Sequence, residues 1–195
     1  MTVHHEQEVD LFDPATLADP YPTYARFRYQ GGVAHFASRG YYGLFDHDTV
    51  LDAGRDWELF SSAQGVALND ASNLALEGTA IASDPPEHVP LRRVFGQALS
   101  VQALLPLREP VRAAAELTIS KLPRGRAVDV VRDLAQTFPA HVMAEAFGLP
   151  ESGRDELLRY AEGTSDAFGP DSDRTTSGLQ AFGQMYEYMA QQLTA

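Results

Sequence analysis

His88 and Arg92 are the two side chains whose types and spacing best suit binding chemistry. They lie in the run Asp84-Pro85-Pro86-Glu87-His88-Val89-Pro90-Leu91-Arg92-Arg93. On a helix, residues four apart project from one face and can grip a common ligand. An imidazole N–H beside a guanidinium fork suits a carboxylate-bearing partner, because Arg binds carboxylates bidentately and stays charged. The competing reading of the spacing alone is a solvated helix face carrying two ordinary polar side chains. Asp84 followed by Pro85 is a helix-start signal, which predicts a helix beginning between Asp84 and Pro86. Pro90 then falls inside the helix, removes a backbone donor and predicts a kink that turns Arg92 aside.

The elements that must position this pair are helical. Leu107, Val111, Ala114, Thr118 and Leu122 mark one helix face. Val131, Leu134, Ala135, Phe138, Val142 and Ala146 mark another, with a kink expected near Pro139 and a stop at Gly148 before Pro150. A further helix is predicted from Arg154 to about Asp166. Leu179, Phe182, Met185, Tyr186, Met189 and Leu193 form the apolar stripe of the last one. Near the N-terminus, residues 33–37 and 41–45 read as strands around the glycine-bearing loop Ser38-Arg39-Gly40. A short helix follows, capped by Asp46. Residues 61–83 form a long loop with a helical turn pair at Ser72 to Leu76, and long loops are commonly functional. Residues 1–10 are expected to be disordered, His4 and His5 included.

Together these patterns resemble the N-terminal half of bacterial cytochrome P-450 monooxygenases. The run from Asp84 to Arg92 is similar to the start of that family's C helix, where Pro-Pro-x-His-x-x-x-Arg follows an aspartate. Leu11-Phe12-Asp13-Pro14 and Asp19-Pro20-Tyr21-Pro22 resemble the family's N-terminal entry, and Phe60-Ser61-Ser62 resembles the end of its B region. Asp129, Val130, Leu134-Ala135, Pro139, Val142 and Gly148-Leu149-Pro150 fall as in its E helix and exit. The resemblance implies a mainly α fold with a small N-terminal β-hairpin, covering helices A to G. It implies that His88 and Arg92 hold the two propionates of a heme. It places Val66, Ala67, Leu68, Leu74 and Phe168 along the substrate pocket, and Arg93 on the surface that meets a ferredoxin-type electron donor. The implied reaction is O₂-dependent hydroxylation or demethylation of a small organic substrate. Ser62 to Asn69 resembles members that oxidise small aromatic acids.

Two features of that family are missing from the sequence. There is no cysteine, and a thiolate is the axial ligand that lets this heme class favour O–O cleavage. There is no Ala/Gly-Gly-x-Asp/Glu-Thr-Thr segment of the kind found in the family's I helix. Glu-x-x-Arg occurs at Glu109, Glu151 and Glu156, none after such a segment, so all three read as exposed helix-surface pairs. The expectation is a truncated N-terminal part of the domain over residues 11–195, not competent for catalysis alone, with no catalytic residue of its own. The alternative is a non-enzymatic helical module or inactive remnant that binds a partner through its uncovered surface. Either way the last helix, through Leu179, Phe182, Met185 and Met189, is expected to lack cover.

Composition narrows the remaining classes. The net charge of −12 argues against nucleic acid, whose phosphates need Lys and Arg, and against anionic membrane surfaces. No apolar run approaches membrane-spanning length, and the acidic first ten residues do not read as a signal peptide. A cytoplasmic location is expected. Lys121-Leu122-Pro123-Arg124-Gly125-Arg126 reads as a solvated basic corner. His35, His47 and His141 lack metal-ligand spacing, so no metal site is expected. No Gly-rich phosphate loop or Gly-x-Ser-x-Gly elbow is present.

Overall fold

The hairpin predicted from the alternating residues is present. β2 (Val33–Phe36) and β3 (Tyr41–Leu44) pair antiparallel, with Val33 opposite Leu44 and Phe36 opposite Tyr41. Gly40 takes φ +70°, a left-handed conformation that only glycine adopts without steric cost, and it closes the turn. The computed structural model describes residues 4–6, 9–150 and 152–194. Within it β1 (His4–Glu6) runs parallel to β2, giving the order β1-β2-β3. Residues 1–10, expected to be disordered, include His4–Glu6, which carry no local structure signal and pair along the β2 edge. Residues 1–3, 7 and 8 lie outside the described set.

The chain divides into two units, Met1–Gln64 and Gly65–Ala195. In the first, α1 (Pro14–Ala18) starts at Asp13, whose carboxylate accepts from the Ala15 and Thr16 amides. Next come α2 (Tyr21–Tyr29) and α3 (His47–Ala53), the latter capped by Asp46 Oδ1 accepting from the Thr49 amide at 2.9 Å. The core is aromatic: Phe27 and Phe36 are each 1% exposed and meet edge to face at 5.4 Å between centroids. Phe45 stacks on Phe27 at 4.6 Å, and Tyr41 lies against Phe36 at 5.1 Å. Asp10 and Arg39 close the rim through paired contacts of 3.2 and 2.5 Å. The guanidinium holds the Asp10 carboxyl below its usual range.

The second unit is helical: α4 (Asp70–Leu76), α5 (His88–Ala98), α6 (Val101–Leu104), α7 (Arg108–Lys121), α8 (Thr137–Ala146), α9 (Ser152–Thr164) and α10 (Asp173–Thr194). Single 3₁₀ turns at Leu105–Leu107 and Ser165–Phe168 join α6 to α7 and follow α9. The predicted α7 face holds, with Thr118 buried and Val111, Ala114 and Leu122 half-buried. The expected kink near Pro139 appears earlier and in another form, as a π-helical stretch at Val131–Gln136 leading directly into α8. Pro139 has no N–H to donate and its ring crowds the carbonyl four residues back, so widening the preceding turn relieves the conflict. Thr137 Oγ1 donates to the Arg132 carbonyl at 2.9 Å, satisfying an acceptor five residues earlier. The widened turn rotates the buried face. Ala140 and Ala144 are buried, while Val131, Ala135 and Ala146, expected inward, are exposed.

The α10 stripe is covered more than expected. Leu179, Phe182, Met185 and Met189 are all half-buried, because α10 packs along α9 and the turn that follows it; Leu193 lies outside the described side chains. Tyr186 of the same stripe is exposed, and α5 and α6 also carry exposed apolar side chains, Val94 at 67% and Val101 at 73%. Of the Glu-x-x-Arg sequences, Glu109–Arg112 and Glu156–Arg159 form the exposed i,i+3 pairs expected of them, and Glu151 lies outside the described residues.

Candidate functional site

α5 begins at His88, after the turn 85–87, and not at Asp84–Pro86 as the capping signal suggests. Consecutive prolines at 85 and 86 favour the turn, although the His88 amide still donates to the Asp84 carbonyl at 2.9 Å. This later start resolves the expected difficulty at Pro90. It becomes the third residue of the helix, where the first-turn N–H groups have no intrahelical acceptor, so its missing donor costs nothing. α5 then runs without interruption to Ala98. His88 and Arg92 are one helical turn apart on one continuous helix, and the expected displacement of Arg92 is not seen.

His88 is half-buried, whereas Arg92 and Arg93 are exposed, and no residue of α5 is buried. Among the described residues neither His88 nor Arg92 has a hydrogen-bond or ion-pair partner for its side chain. Their N–H groups are thus uncommitted donors, a set whose chemistry fits carboxylate groups of a ligand.

The loop residues of the site separate into two groups. Phe168 and Leu76 come together with Ser72, Ala167, Leu179 and Phe182 around a small apolar cavity of about 10 Å³. Leu68 reaches this assembly through its backbone, its amide donating to the Phe168 carbonyl at 2.9 Å, while its side chain is 44% exposed. Val66 and Ala67 are held by Asn73, whose Oδ1 accepts from both amides at 2.9 and 2.8 Å. Leu74, on α4, is 73% exposed and does not line the cavity.

Sequence reasoning missed Asn69 and Ser72. Asn69 caps α4, its Oδ1 accepting from the Ser72 amide at 2.8 Å, and is only 5% exposed. Its Nδ2 donates to the carbonyls of Ala167 at 2.7 Å and Gly169 at 2.8 Å, and Ser72 Oγ donates to Ala167 at 2.6 Å. Asn69 immediately before a helical stretch carrying Leu74 and Leu76 was the available signal for the cap. Nothing local signalled the partner segment a hundred residues away.

No protein-family model matches the sequence. The chain is 33% identical over 94% of its length to cytochrome P450 CYP199A2 of Rhodopseudomonas palustris, covering 46% of that protein. It is 28% identical over 96% of its length to cytochrome P450 130 of Mycobacterium tuberculosis, covering 48% of that protein. It thus spans about half the length of the curated relatives it matches. The CYP116B5 heme domain of Acinetobacter radioresistens superposes with a TM-score of 0.73 at 21% identity, over 95% of this chain and 48% of that one. The full-length CYP116B46 structure from Tepidiphilus thermophilus gives a TM-score of 0.75 at 19% identity over 95% of this chain.

Proposed function

Because this chain belongs to the cytochrome P450 family, we propose that α5 is its heme-propionate helix and that these residues form one side of a heme-thiolate monooxygenase acting on a small organic substrate. One observation carries the reading: His88 and Arg92, one turn apart on a helix with no buried residue, have no side-chain partner among the described residues. Polar groups so arranged gain most from a ligand that brings its own carboxylates. The exposed apolar side chains of the same helix, Val89, Val94 and Phe95 among them, suit cover by a large apolar partner.

In this role His88 donates from its ring N–H to one propionate, and Arg92 offers its fork to the other. Each charge-assisted bond contributes about 1.5–3 kcal/mol where water is excluded. When bound, the heme supplies the iron at which dioxygen is reduced and the substrate oxidised. These 195 residues contain no cysteine, so a thiolate for the heme iron would have to be supplied from elsewhere. Arg93, exposed beside Arg92, offers a cation to an acidic electron donor of the ferredoxin type. The 65–77 loop, with Phe168 beneath it, roofs the substrate side, and a small aromatic acid is the substrate class we favour.

Hemin and its dimethyl ester test the assignment directly, because they differ only at the two carboxylates. Two bonds along one edge fall short of the roughly 8 kcal/mol that micromolar affinity requires, so the 195-residue chain should bind hemin weakly. It should nevertheless prefer hemin to the ester by about tenfold, which is about 1.4 kcal/mol. His88→Ala with Arg92→Ala should abolish that preference. Equal affinity for the two porphyrins in titrations followed by absorbance would remove the propionate assignment.

A further inference from the structure

The turn after α9 is unusual in that three successive carbonyls all accept hydrogen bonds from one distant segment. Ala167 accepts from Asn69 Nδ2 and Ser72 Oγ, Phe168 from the Leu68 amide, and Gly169 from Asn69 Nδ2. The donors span only Leu68 to Ser72, and both side chains that supply them are buried, at 5% and 4% exposure. The turn is itself firmly seated. A Cβ at Gly178 of α10 would come within 2.4 Å of the Ala167 nitrogen, so α10 lies directly against the turn backbone. Arg174 adds an ion pair to Asp166 at 2.6 Å. One partner of the contact is thereby anchored to α10, and the other is the loop that carries α4.

We propose that Asn69 is a positioning residue that latches the 65–77 loop to the Ser165–Gly169 turn, and that this latch is separate from its role as the cap of α4. The two roles use different atoms of one carboxamide. Oδ1 serves the cap, by accepting from Ser72, and Nδ2 serves the latch, by donating to two carbonyls. With Nδ2 in place, loop and turn move as one body and the apolar space behind them, lined by Leu76, Phe168, Leu179 and Phe182, stays collapsed. Without it, the Ala167 carbonyl keeps Ser72 Oγ, but Gly169 loses its side-chain donor. The loop can then lift away from the turn while α4 remains helical. The significance for a substrate pocket rests on the reading of the loop as its roof; the latch itself does not.

Asn69→Asp separates the two roles with almost no change of shape. The carboxylate keeps an acceptor for the Ser72 amide and suits a helix N-terminus. Its second oxygen replaces a donor and faces two carbonyl oxygens, a repulsive arrangement in a buried site. Amide hydrogen exchange of the 195-residue chain at pH 7 reads the outcome. We expect at least a tenfold loss of protection at the Leu68 amide, with the Ser72 amide unchanged, and partial recovery in acid once the carboxyl regains a proton to donate. Ser72→Ala, which removes one latch bond and leaves Asn69 intact, should lower Leu68 protection severalfold and provides the reading should the Asp variant not fold. Protection at Leu68 unaltered in the folded variants, or lost in step with Ser72, would overturn the proposal. The experiment contains no heme, so its failure and that of the propionate assignment are distinguishable.

Discussion

Phe36→Ala removes the ring on which the aromatic core of the first unit is assembled. Phe36 is 1% exposed and contacts the rings of Phe27, Tyr41 and Phe45, with centroids 5.4, 5.1 and 6.3 Å away. A buried phenylalanine removes about 150–250 Å² from water, and at about 25 cal/mol per Å² this is roughly 4–6 kcal/mol, part of which alanine retains. Measured Phe→Ala changes in cores run at about 3–5 kcal/mol, cavity included. We therefore expect a loss of about 4 kcal/mol. A unit of some sixty residues has little more than that to lose, so it should be largely unfolded at 25 °C. Trp57 is the only tryptophan and lies in this unit, so its fluorescence in urea reports the unit selectively. Helical signal from α7–α10 should persist. A Trp57 transition displaced by less than the equivalent of 1 kcal/mol would refute the account of the core.

Two further outcomes follow from the structure. The Asp10 carboxyl is held below its usual value by the Arg39 hydrogen bonds, so its stabilisation is complete above about pH 4 and is lost as pH falls through the depressed folded value. Asp10→Asn should flatten that acid limb of the melting curve. It should cost under about 1 kcal/mol at pH 7, because the pair is 33% and 41% exposed, and an unchanged acid limb would count against the pair. The exposed apolar side chains of α5 and α6 should drive self-association, visible in light scattering as concentration-dependent growth that Val94→Glu reduces; a monodisperse monomer would contradict this.

The hairpin, the Asp46 cap and the α7 face were legible because each rests on residues close in sequence. The start of α5 was misplaced because Asp84-Pro85 is a sound local signal, but Pro86 and Pro90 together move the helix to His88. The buried face of α8 was misjudged because periodicity assumes 3.6 residues per turn, and the π-helical stretch Val131–Gln136 breaks that count. At the site, the spacing of His88 and Arg92 carried through to the structure as a shared helix. Leu74 is solvent-exposed on the seven-residue helix α4, which Asn69 caps. The Asn69 latch was invisible beforehand, because every acceptor it uses is a backbone carbonyl about a hundred residues away.

The central claim is that His88 and Arg92 hold heme propionates. The direct measurement is a chimera in which these 195 residues replace the corresponding segment of the Rhodopseudomonas palustris relative, which they match at 33% identity. The account predicts that the chimera takes up heme and, with reductant and carbon monoxide, gives the absorption band of a thiolate-ligated heme. His88→Ala with Arg92→Ala should then accelerate heme loss to an acceptor protein by at least about tenfold, the equivalent of about 1.4 kcal/mol. Heme retained by the double variant as firmly as by the parent chimera would contradict the claim.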